Sequence, residues 1–292
     1  LTNSGTITTS GSSGYGIYSY DNNGTEAITN SGTITASGQY GYGIYSAYNS
    51  DTSTLTNSGT ITTSGDSSRG IYSIRNSDTS TITNSGTITT SGSAGYGISS
   101  SSNSGTETIT NSGTITASGD GLKSSMGIGS YANSGTLTIS NTSTISTSGP
   151  GNGIFLNSHT GTTTITNSGT IQVTGSSAVG VTLDGGVTLN NSGAISATGS
   201  ATQAIDSTGT GNDTLTLSSG SNITGSIDLG GGTDTVNITG VNGCATSACM
   251  STSLTFANTE NINLSGVTGA ASNGVAATVD PTGNSVLGVS LS

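Results

Sequence analysis

A recurring phrase, ITNSGTITASG at residues 28–38, is the feature that most constrains how this chain can fold. Aligned on their first apolar residue, successive copies follow at steps of 27, 27, 27, 27, 30, 26, 24 and 28 residues. The aligned residues are Leu1, Ile28, Leu55, Ile82, Ile109, Ile139, Ile165, Leu189 and Leu217. Self-similarity at such a period is typical of repeat proteins, in which stacked units share one continuous core.

Each repeat carries two further apolar columns. One lies six residues after the first, at Ile7, Ile34, Ile61, Ile88, Ile115, Ile145, Ile171, Ile195 and Ile223. Another lies at Ile17, Ile44, Ile71, Ile98, Ile128, Ile154, Val181 and Ile205. The segments around these residues are too short for helices, and their apolar residues alternate with polar ones. We therefore predict an all-β parallel β-helix with three short strands in each coil of about 27 residues.

The composition is compatible with a thin core of this kind. Only 29% of the residues are hydrophobic and 48 are glycine, and low hydrophobicity by itself favours disorder. The chain is nevertheless rich in Ile, Val and Thr, which favour strands. Stacked coils that share one core reconcile the two observations.

The charge excludes two classes of partner. The formal net charge is −11, and the only basic residues are Arg69, Arg75 and Lys123. Nucleic-acid binding needs a basic stripe, so we expect no nucleic-acid partner. An anionic membrane surface is disfavoured for the same reason, and no apolar run approaches the ~20 residues of a membrane-spanning helix.

The two cysteines, Cys244 and Cys249, lie five residues apart in CATSAC. A pair at this spacing suits a small local disulfide and an oxidising compartment. Two free thiols are the alternative.

The polar residues between the apolar ones also recur. Asparagines with the parity of the buried isoleucines are predicted to stack and to hydrogen-bond from coil to coil. They are Asn3, Asn30, Asn57, Asn84, Asn111, Asn141, Asn167 and Asn191. Glycines follow two residues later, from Gly5 and Gly32 to Gly193, and we expect positive φ at these corners. A three-residue excess within 119–127 predicts a corner loop that carries Lys123.

Two regions are predicted, with regular repeats over 1–205 and divergent coils over 206–292. In the second region NDTLTL (212–217), TDTVNI (233–238) and TENINL (259–264) align with one another. Inner positions there are more apolar, because Glu26, Ser53 and Ser80 correspond to Leu137, Val187 and Leu215 in the alignment. We expect the C-terminal third to be the most stable part.

These repeats, together with GNDTLTLSSGSNITGSIDLGGGTDTVNITG, FANTENINLSG and GVAATVDPTG, resemble the passenger region of bacterial autotransporters. The resemblance covers essentially the whole chain. It implies a right-handed β-helix that is exported through the outer membrane of a Gram-negative cell and displayed outside. The translocator barrel of that family is absent from this chain, which lacks the alternating strands of about 10 residues that such a barrel needs.

The residues offer little for catalysis, and we expect no enzyme. The single histidine, His159, is predicted to lie in a surface loop, and no Gly-x-Ser-x-Gly motif is present. GTGNDTLTL (209–217) and GGGTDTVNI (230–238) are similar to calcium-binding nonapeptides, but Asp213 and Asp234 are 21 residues apart instead of nine. We therefore predict no cofactor, with calcium as a minor alternative.

Two tyrosine columns are the predicted binding face. Tyr18, Tyr45 and Tyr72 stand beside the third apolar column, and Tyr15, Tyr42, Arg69 and Tyr96 form a second column. Exposed aromatic ladders can stack on sugars or bind a protein, although they also stabilise sheets. A rival surface is the Thr-x-Thr array, which resembles that of ice-binding β-solenoids: Thr6/Thr8, Thr33/Thr35, Thr60/Thr62, Thr87/Thr89 and Thr114/Thr116.

The favoured function is a non-catalytic cell-surface adhesin or stalk whose partner is a glycan or protein on a host or neighbouring cell. The first alternative is a self-assembling extracellular fibre, because the first coil would expose unpaired strand edges that invite end-to-end stacking. The second alternative is ice binding.

Overall fold

The predicted all-β parallel β-helix is confirmed by a computed structural model, which describes residues 1–119, 124–239, 254–265, 277–280 and 288–291. The chain winds through three parallel sheets, and each coil gives one strand to each sheet in turn over most of its length. The described residues contain no helix. Among them, therefore, no helical segment has the length and hydrophobicity to cross a bilayer.

Sheet 1 carries the first apolar column and has twelve strands among the described residues. They are β1 (Thr2–Asn3), β4 (Glu26–Asn30), β7 (Ser53–Asn57), β10 (Ser80–Asn84), β13 (Glu107–Asn111), β16 (Leu137–Asn141), β19 (Thr163–Asn167), β22 (Val187–Asn191), β25 (Thr214–Leu217), β28 (Thr235–Thr239), β30 (Asn261–Ser265) and β32 (Gly288–Leu291).

Sheet 2 carries the second apolar column and has nine strands among the described residues. They are β2 (Thr6–Thr9), β5 (Thr33–Ala36), β8 (Thr60–Thr63), β11 (Thr87–Thr90), β14 (Thr114–Ser118), β17 (Thr144–Ser148), β20 (Thr170–Val173), β23 (Ala194–Ala197) and β26 (Asn222–Thr224).

Sheet 3 carries the third apolar column and has eleven strands in the described part of the chain. They are β3 (Tyr15–Tyr20), β6 (Tyr42–Ala47), β9 (Arg69–Ile74), β12 (Tyr96–Ser101), β15 (Met126–Tyr131), β18 (Ile154–Asn157), β21 (Val179–Leu183), β24 (Gln203–Ser207), β27 (Ser226–Asp228), β29 (Leu254–Ala257) and β31 (Ala277–Asp280).

The core is a continuous column of branched side chains in the interior of the coil stack. Ile34, Ile61 and Ile88 pair in register in sheet 2, and all three are completely buried. Burying one such side chain stabilises the folded chain by roughly 1.5–3 kcal/mol. Because no coil buries its own inner face, the stacking of coils is what forms the core.

The corner glycines are required for a reason other than the predicted one. None of the column from Gly5 to Gly193 has positive φ. A Cβ at Gly59 would instead lie 2.1 Å from the carbonyl oxygen of Gly32, and one at Gly86 would lie 2.0 Å from that of Gly59. The expectation of positive φ was wrong, since glycine is needed here to let successive backbones approach closely.

The alignment of the divergent coils holds, but its connection to the regular repeats was wrong by two residues. Leu215 pairs with Val236, and Val236 pairs with Ile262, as predicted. However, Leu189 pairs with Leu215 and not with Leu217, which lies opposite Asn191. A shift by two residues keeps every side chain on the same face of the sheet, so the apolar pattern alone did not reveal it.

The same shift changes one interior position. Glu107 pairs with Leu137, and Thr163 pairs with Val187, so this inner column is more apolar between β16 and β22 than in the earlier coils. Continuing the register places Asp213 next in the column, where Leu215 was predicted. Lys123, Cys244 and Cys249 lie outside the described residues.

Candidate functional site

The outer surface of sheet 3 carries a continuous aromatic cluster. Strand alternation turns Ile17 inward, where it is 8% exposed, and Tyr18 outward, where it is 51% exposed. The alternation is interrupted just before Ile17, because Gly16 also faces the interior, where a Cβ would lie 2.3 Å from Cγ2 of Ile34. Tyr15 therefore lies on the outer surface beside Tyr18, with their ring centroids 5.0 Å apart. The same pattern recurs in β6 and β9. We call the resulting surface the tyrosine face: Tyr15, Tyr18, Tyr20, Tyr42, Tyr45, Arg69, Tyr72, Tyr96, Tyr131 and Phe155.

The first predicted column is in register. Tyr18 pairs with Tyr45, and Tyr45 pairs with Tyr72. The Tyr18 and Tyr45 rings are stacked with centroids 5.3 Å apart, and the Tyr45 and Tyr72 rings meet edge to face at 5.6 Å. Ser99 follows Tyr72 in the next coil, so this column of rings ends there.

The second predicted column runs beside the first. Tyr15, Tyr42, Arg69 and Tyr96 pair in sequence from coil to coil. Its rings also contact those of the first column, since the Tyr15 and Tyr45 centroids are 5.3 Å apart. The two columns therefore form one slab of side chains instead of two separate ladders.

Arg69 lies inside this slab. Its guanidinium carbon is 3.9 Å from the ring centroid of Tyr72, 5.4 Å from that of Tyr42 and 5.3 Å from that of Tyr96. Guanidinium groups at these distances from aromatic rings are held by cation–π attraction. Its side chain is therefore half-buried among the rings.

Burial affects the tyrosine hydroxyls. It raises the pKa of Tyr45 to about 12, with smaller contributions from the neighbouring tyrosines. Burial also raises the pKa of Tyr131 above its ordinary value, and that of Tyr42 rises although Arg69 opposes the shift. These hydroxyls stay protonated at neutral pH, so each can donate as well as accept a hydrogen bond.

Acidic residues are absent from this part of sheet 3. No Asp or Glu occurs in the described strands β3, β6, β9, β12, β15, β18 and β21. The acids of the sheet come later, where Asp206 pairs with Asp228. Burial, together with the charge of Asp228, raises the pKa of Asp206. The outer surface of sheet 3 is thus aromatic and basic at one end and acidic at the other.

The predicted asparagine column is a buried hydrogen-bonded ladder. In every step of it, Nδ2 of one asparagine donates to Oδ1 of the next at 2.7–2.8 Å. The ladder runs from Asn3 to Asn191, where Leu217 takes over the column. Its polar groups are satisfied within the stack, so the ladder is scaffold and presents no ligand site.

A second asparagine ladder was missed by the sequence analysis. The backbone N–H of Asn49 donates to Oδ1 of Asn76, and Asn76 and Asn103 continue the pattern into the following coils. These residues recur every 27 positions, and that period was visible in the sequence.

Two glutamates lie inside the coil stack next to this second ladder. Glu107 accepts hydrogen bonds from Ser100, Asn103 and Asn133 at 2.5–3.1 Å. Burial raises the pKa of Glu107 to about 7, and these hydrogen bonds only partly oppose the shift. Glu26 is held in a similar way by Ser46, Asn49 and Ser53.

His159 lies in the loop between β18 and β19, as predicted, but it is not fully exposed. The side chain is half-buried, both of its ring nitrogens are covered, and burial lowers its pKa while the Asp184 carboxylate opposes the shift. The His159 backbone N–H donates to Asp184 at 2.5 Å. His159 occupies the position after Asn133 in the second ladder, at a corner of the coil.

The acids proposed as calcium ligands form a ladder of their own. The backbone N–H of Asp213 donates to Asp234, and that of Asp234 donates to Glu260. Burial raises the pKa of Asp234 to about 6, with help from the neighbouring carboxylates. Among the described residues, no group of three or more His, Cys, Asp or Glu side chains could hold a metal ion.

The predicted threonine array lies on sheet 2 in register, from Thr6 and Thr8 to Thr114 and Thr116. Sheet 1 carries a longer column that the sequence analysis missed. Eight threonines follow one another from coil to coil in it: Thr54, Thr81, Thr108, Thr138, Thr164, Thr188, Thr214 and Thr235.

Three parallel sheets, ladders at the corners and a surface slab of aromatic side chains define this protein as a repetitive parallel β-helix. The family model of the third pectate lyase-like domain of BigA matches residues 1–97. This segment holds every member of the tyrosine face except Tyr131 and Phe155. No curated protein and no solved structure matches the chain.

Proposed function

We propose that this chain is a non-catalytic β-helical adhesin or stalk that binds a glycan or protein on a neighbouring surface through its tyrosine face. The observation that carries the proposal is the slab of tyrosines around Arg69 on sheet 3. Tyrosine and arginine are the residues most enriched at the energetic centres of interfaces, because they combine large contact area with hydrogen-bonding groups.

Two findings support a cell-surface role. The repeats resemble autotransporter passengers, and the first third of the chain matches a pectate lyase-like domain of BigA. A β-helix is also suited to display, since ligand contacts can be repeated along its length at coil spacing of about 4.8 Å. On this proposal the chain is exported through the outer membrane of a Gram-negative cell.

The location of the titratable groups supports a non-catalytic role. Glu107, Asp213 and Asp234 are buried, and each accepts hydrogen bonds from the interior or the corners of the coil stack. Catalytic acids and bases need to converge on a cleft that a substrate can enter. These carboxylates instead support the fold.

The test compares binding by variants of the two outer surfaces. Tyr18→Ser/Tyr45→Ser truncates the first tyrosine column with a residue that the chain itself uses there, at Ser99. The matched control, Thr89→Ser/Thr116→Ser, alters the threonine array with the residue found there at Ser146. Binding to a glycan array and to epithelial cells should fall at least tenfold for the tyrosine variant and stay unchanged for the control. Equal binding by both variants would remove the tyrosine face from the proposal.

Ice binding is a second candidate, favoured by the in-register threonine columns on two adjacent sheets. Outward threonines in one strand are about 6.6 Å apart and repeat about every 4.8 Å between coils, which gives a flat two-dimensional grid. Thermal hysteresis of a solution of the purified protein would support this function. If the purified protein shows no thermal hysteresis and does not inhibit ice recrystallisation, ice binding is excluded.

A further inference from the structure

We infer that Arg69 recognises the carboxylate of an acidic saccharide bound on the tyrosine face. The inference rests on the proposed function and names the chemical class of its ligand. It depends on three features of the structure, namely the confinement of the guanidinium, its unused donors and the distribution of charge around it.

The guanidinium is fixed by the rings around it. Tyr42 comes from the preceding coil, Tyr72 from the same strand and Tyr96 from the following coil. With ring centroids at 3.9–5.4 Å from the guanidinium carbon, the side chain has little rotational freedom left to lose on binding. A preorganised donor of this kind binds an acceptor more tightly than a mobile surface arginine does.

The same guanidinium has donors without acceptors. Nη1 donates only a long hydrogen bond of 3.4 Å to the Tyr42 hydroxyl, and Nε is covered by its surroundings without any hydrogen-bond partner. No carboxylate of the described residues forms an ion pair with Arg69. The covered Nε is out of a ligand's reach, so a ligand carboxylate would bind through the Nη groups, whose one hydrogen bond among the described residues is the long one to Tyr42.

Charge favours an anionic ligand at this place. Arg69 and Arg75, two of the three basic residues of the chain, lie on and just after strand β9. The described strands of sheet 3 that surround β9 contain no acid, although the whole chain has a net charge of −11. The acids nearest in sequence, Asp66 and Asp78, lie in the corners before and after β9 and not on the strand.

The chemistry of the slab identifies a saccharide acid. The planar guanidinium fork matches the two oxygens of a carboxylate. Around it, the tyrosine hydroxyls remain protonated, as the raised pKa values of Tyr42 and Tyr45 show, and they can pair with sugar hydroxyls. Ring edges provide apolar contact for the carbon faces of sugar rings.

Isothermal titration calorimetry with a matched pair of ligands tests the inference. The probes are tetragalacturonate and the same tetrasaccharide fully methyl-esterified, which differ only in the charge of their carboxyl groups. Arg69→Gln and Arg69→Tyr remove the guanidinium, and the second variant installs the residue that occupies this column at Tyr15, Tyr42 and Tyr96. Arg75→Gln is the control, because it removes the same charge from outside the slab.

We expect the unmodified chain to bind tetragalacturonate at least tenfold more tightly than the ester. Both Arg69 variants should lose about tenfold to hundredfold in affinity for the acid and little for the ester, whereas Arg75→Gln should lose much less. Melting curves should match those of the unmodified chain.

Equal affinity for the two saccharides, absence of binding to both, or equal losses for Arg69→Gln and Arg75→Gln would each overturn the inference. The proposed function is judged separately by the tyrosine and threonine variants on arrays and cells. One outcome is that the tyrosine and threonine variants bind differently on arrays and cells while tetragalacturonate and its ester bind with equal affinity in calorimetry. In that case the tyrosine face is a binding surface for another ligand. If neither assay shows a difference, both proposals fail.

Discussion

Nδ2 of Asn57 donates a hydrogen bond of 2.8 Å to Oδ1 of Asn84, and both side chains are completely buried. Asn84 in turn donates to Asn111 at 2.8 Å, so each internal asparagine serves two neighbouring coils. The ladder therefore links coils through side chains in addition to the backbone hydrogen bonds of the sheets.

Asn84→Ala should weaken two steps of this ladder at once. Oδ1 of Asn111 loses its donor and Nδ2 of Asn57 loses its better acceptor, and unsatisfied buried groups cost about 1–3 kcal/mol each. We predict that the free energy of unfolding in urea falls by about 2–4 kcal/mol. The control Thr83→Ala changes an outward neighbour and should cost less than about 1 kcal/mol. Equal losses would show that the ladder does not stabilise the stack.

Close approach at the corners predicts a contrast between two glycines of one column. A methyl group at Gly59 would lie 2.1 Å from the carbonyl oxygen of Gly32, whereas one at Gly5 would meet nothing within 4 Å. Gly59→Ala should therefore destabilise this chain by about 1–3 kcal/mol or more, because adjacent coils must separate. Gly5→Ala should be tolerated. Comparable melting temperatures for the two variants would contradict the close packing of corners.

Glu107 makes stability depend on pH. Burial raises its folded-state pKa to about 7, from an ordinary value near 4.5. The folded chain therefore binds this proton more tightly than the unfolded chain, so its stabilising contribution is complete below about pH 4.5 and is lost as the pH rises through about 7. The expected loss between about pH 5 and pH 8 is on the order of 2–3 kcal/mol.

Glu107→Gln isolates this contribution. The amide keeps an acceptor for Ser100 and Asn133 but cannot ionise. Urea titrations at several pH values should give a shallower pH dependence for the variant, with equal or greater stability above neutral pH. A slope identical to that of the unmodified chain would mean that Glu107 does not titrate in this range.

The ladder of Asp213, Asp234 and Glu260 should also lose stability as the pH rises, as predicted for Glu107, but only locally. Burial and the neighbouring carboxylates raise the pKa of Asp234 to about 6, so its ionisation above that pH opposes folding. Asp234→Asn keeps an acceptor for the Asp213 backbone N–H and removes the charge. Hydrogen exchange in β28 should slow in this variant above neutral pH and change little near about pH 4.5. Faster exchange in the variant above neutral pH would show that the carboxylate stabilises this corner.

The apolar columns were sufficient to predict the three-sheet coil, because a branched residue at a constant position in every repeat allows few other arrangements. They could not fix the register between Leu189 and Leu215, since a shift by two residues preserves inside and outside. The reason for the recurring corner glycines was equally ambiguous in the sequence. Positive φ and close backbone approach both require it, and only the structure distinguished them at Gly59.

The tyrosine columns of the candidate site follow from the repeat length alone, since residues 27 apart pair in register. The environment of Arg69 cannot be predicted from the repeat length. Its contacts with Tyr42, Tyr72 and Tyr96 depend on rotamers and on packing between two columns, neither of which a periodic sequence specifies. Likewise, the burial of His159 depends on a corner that it shares with Asp184.

The proposal that the tyrosine face binds ligand is tested most directly by fluorine NMR of the chain labelled with 3-fluorotyrosine. Eight of the ten tyrosines belong to the tyrosine face, and the other two, Tyr40 and Tyr48, flank strand β6, so most of the label reports on this surface. The ligand is the saccharide that retains the unmodified protein most strongly on the array. We predict that its addition shifts the resonances of Tyr42, Tyr45 and Tyr72, assigned by single Tyr→Phe replacements. Saturating binding in calorimetry without any change in these resonances would contradict the account.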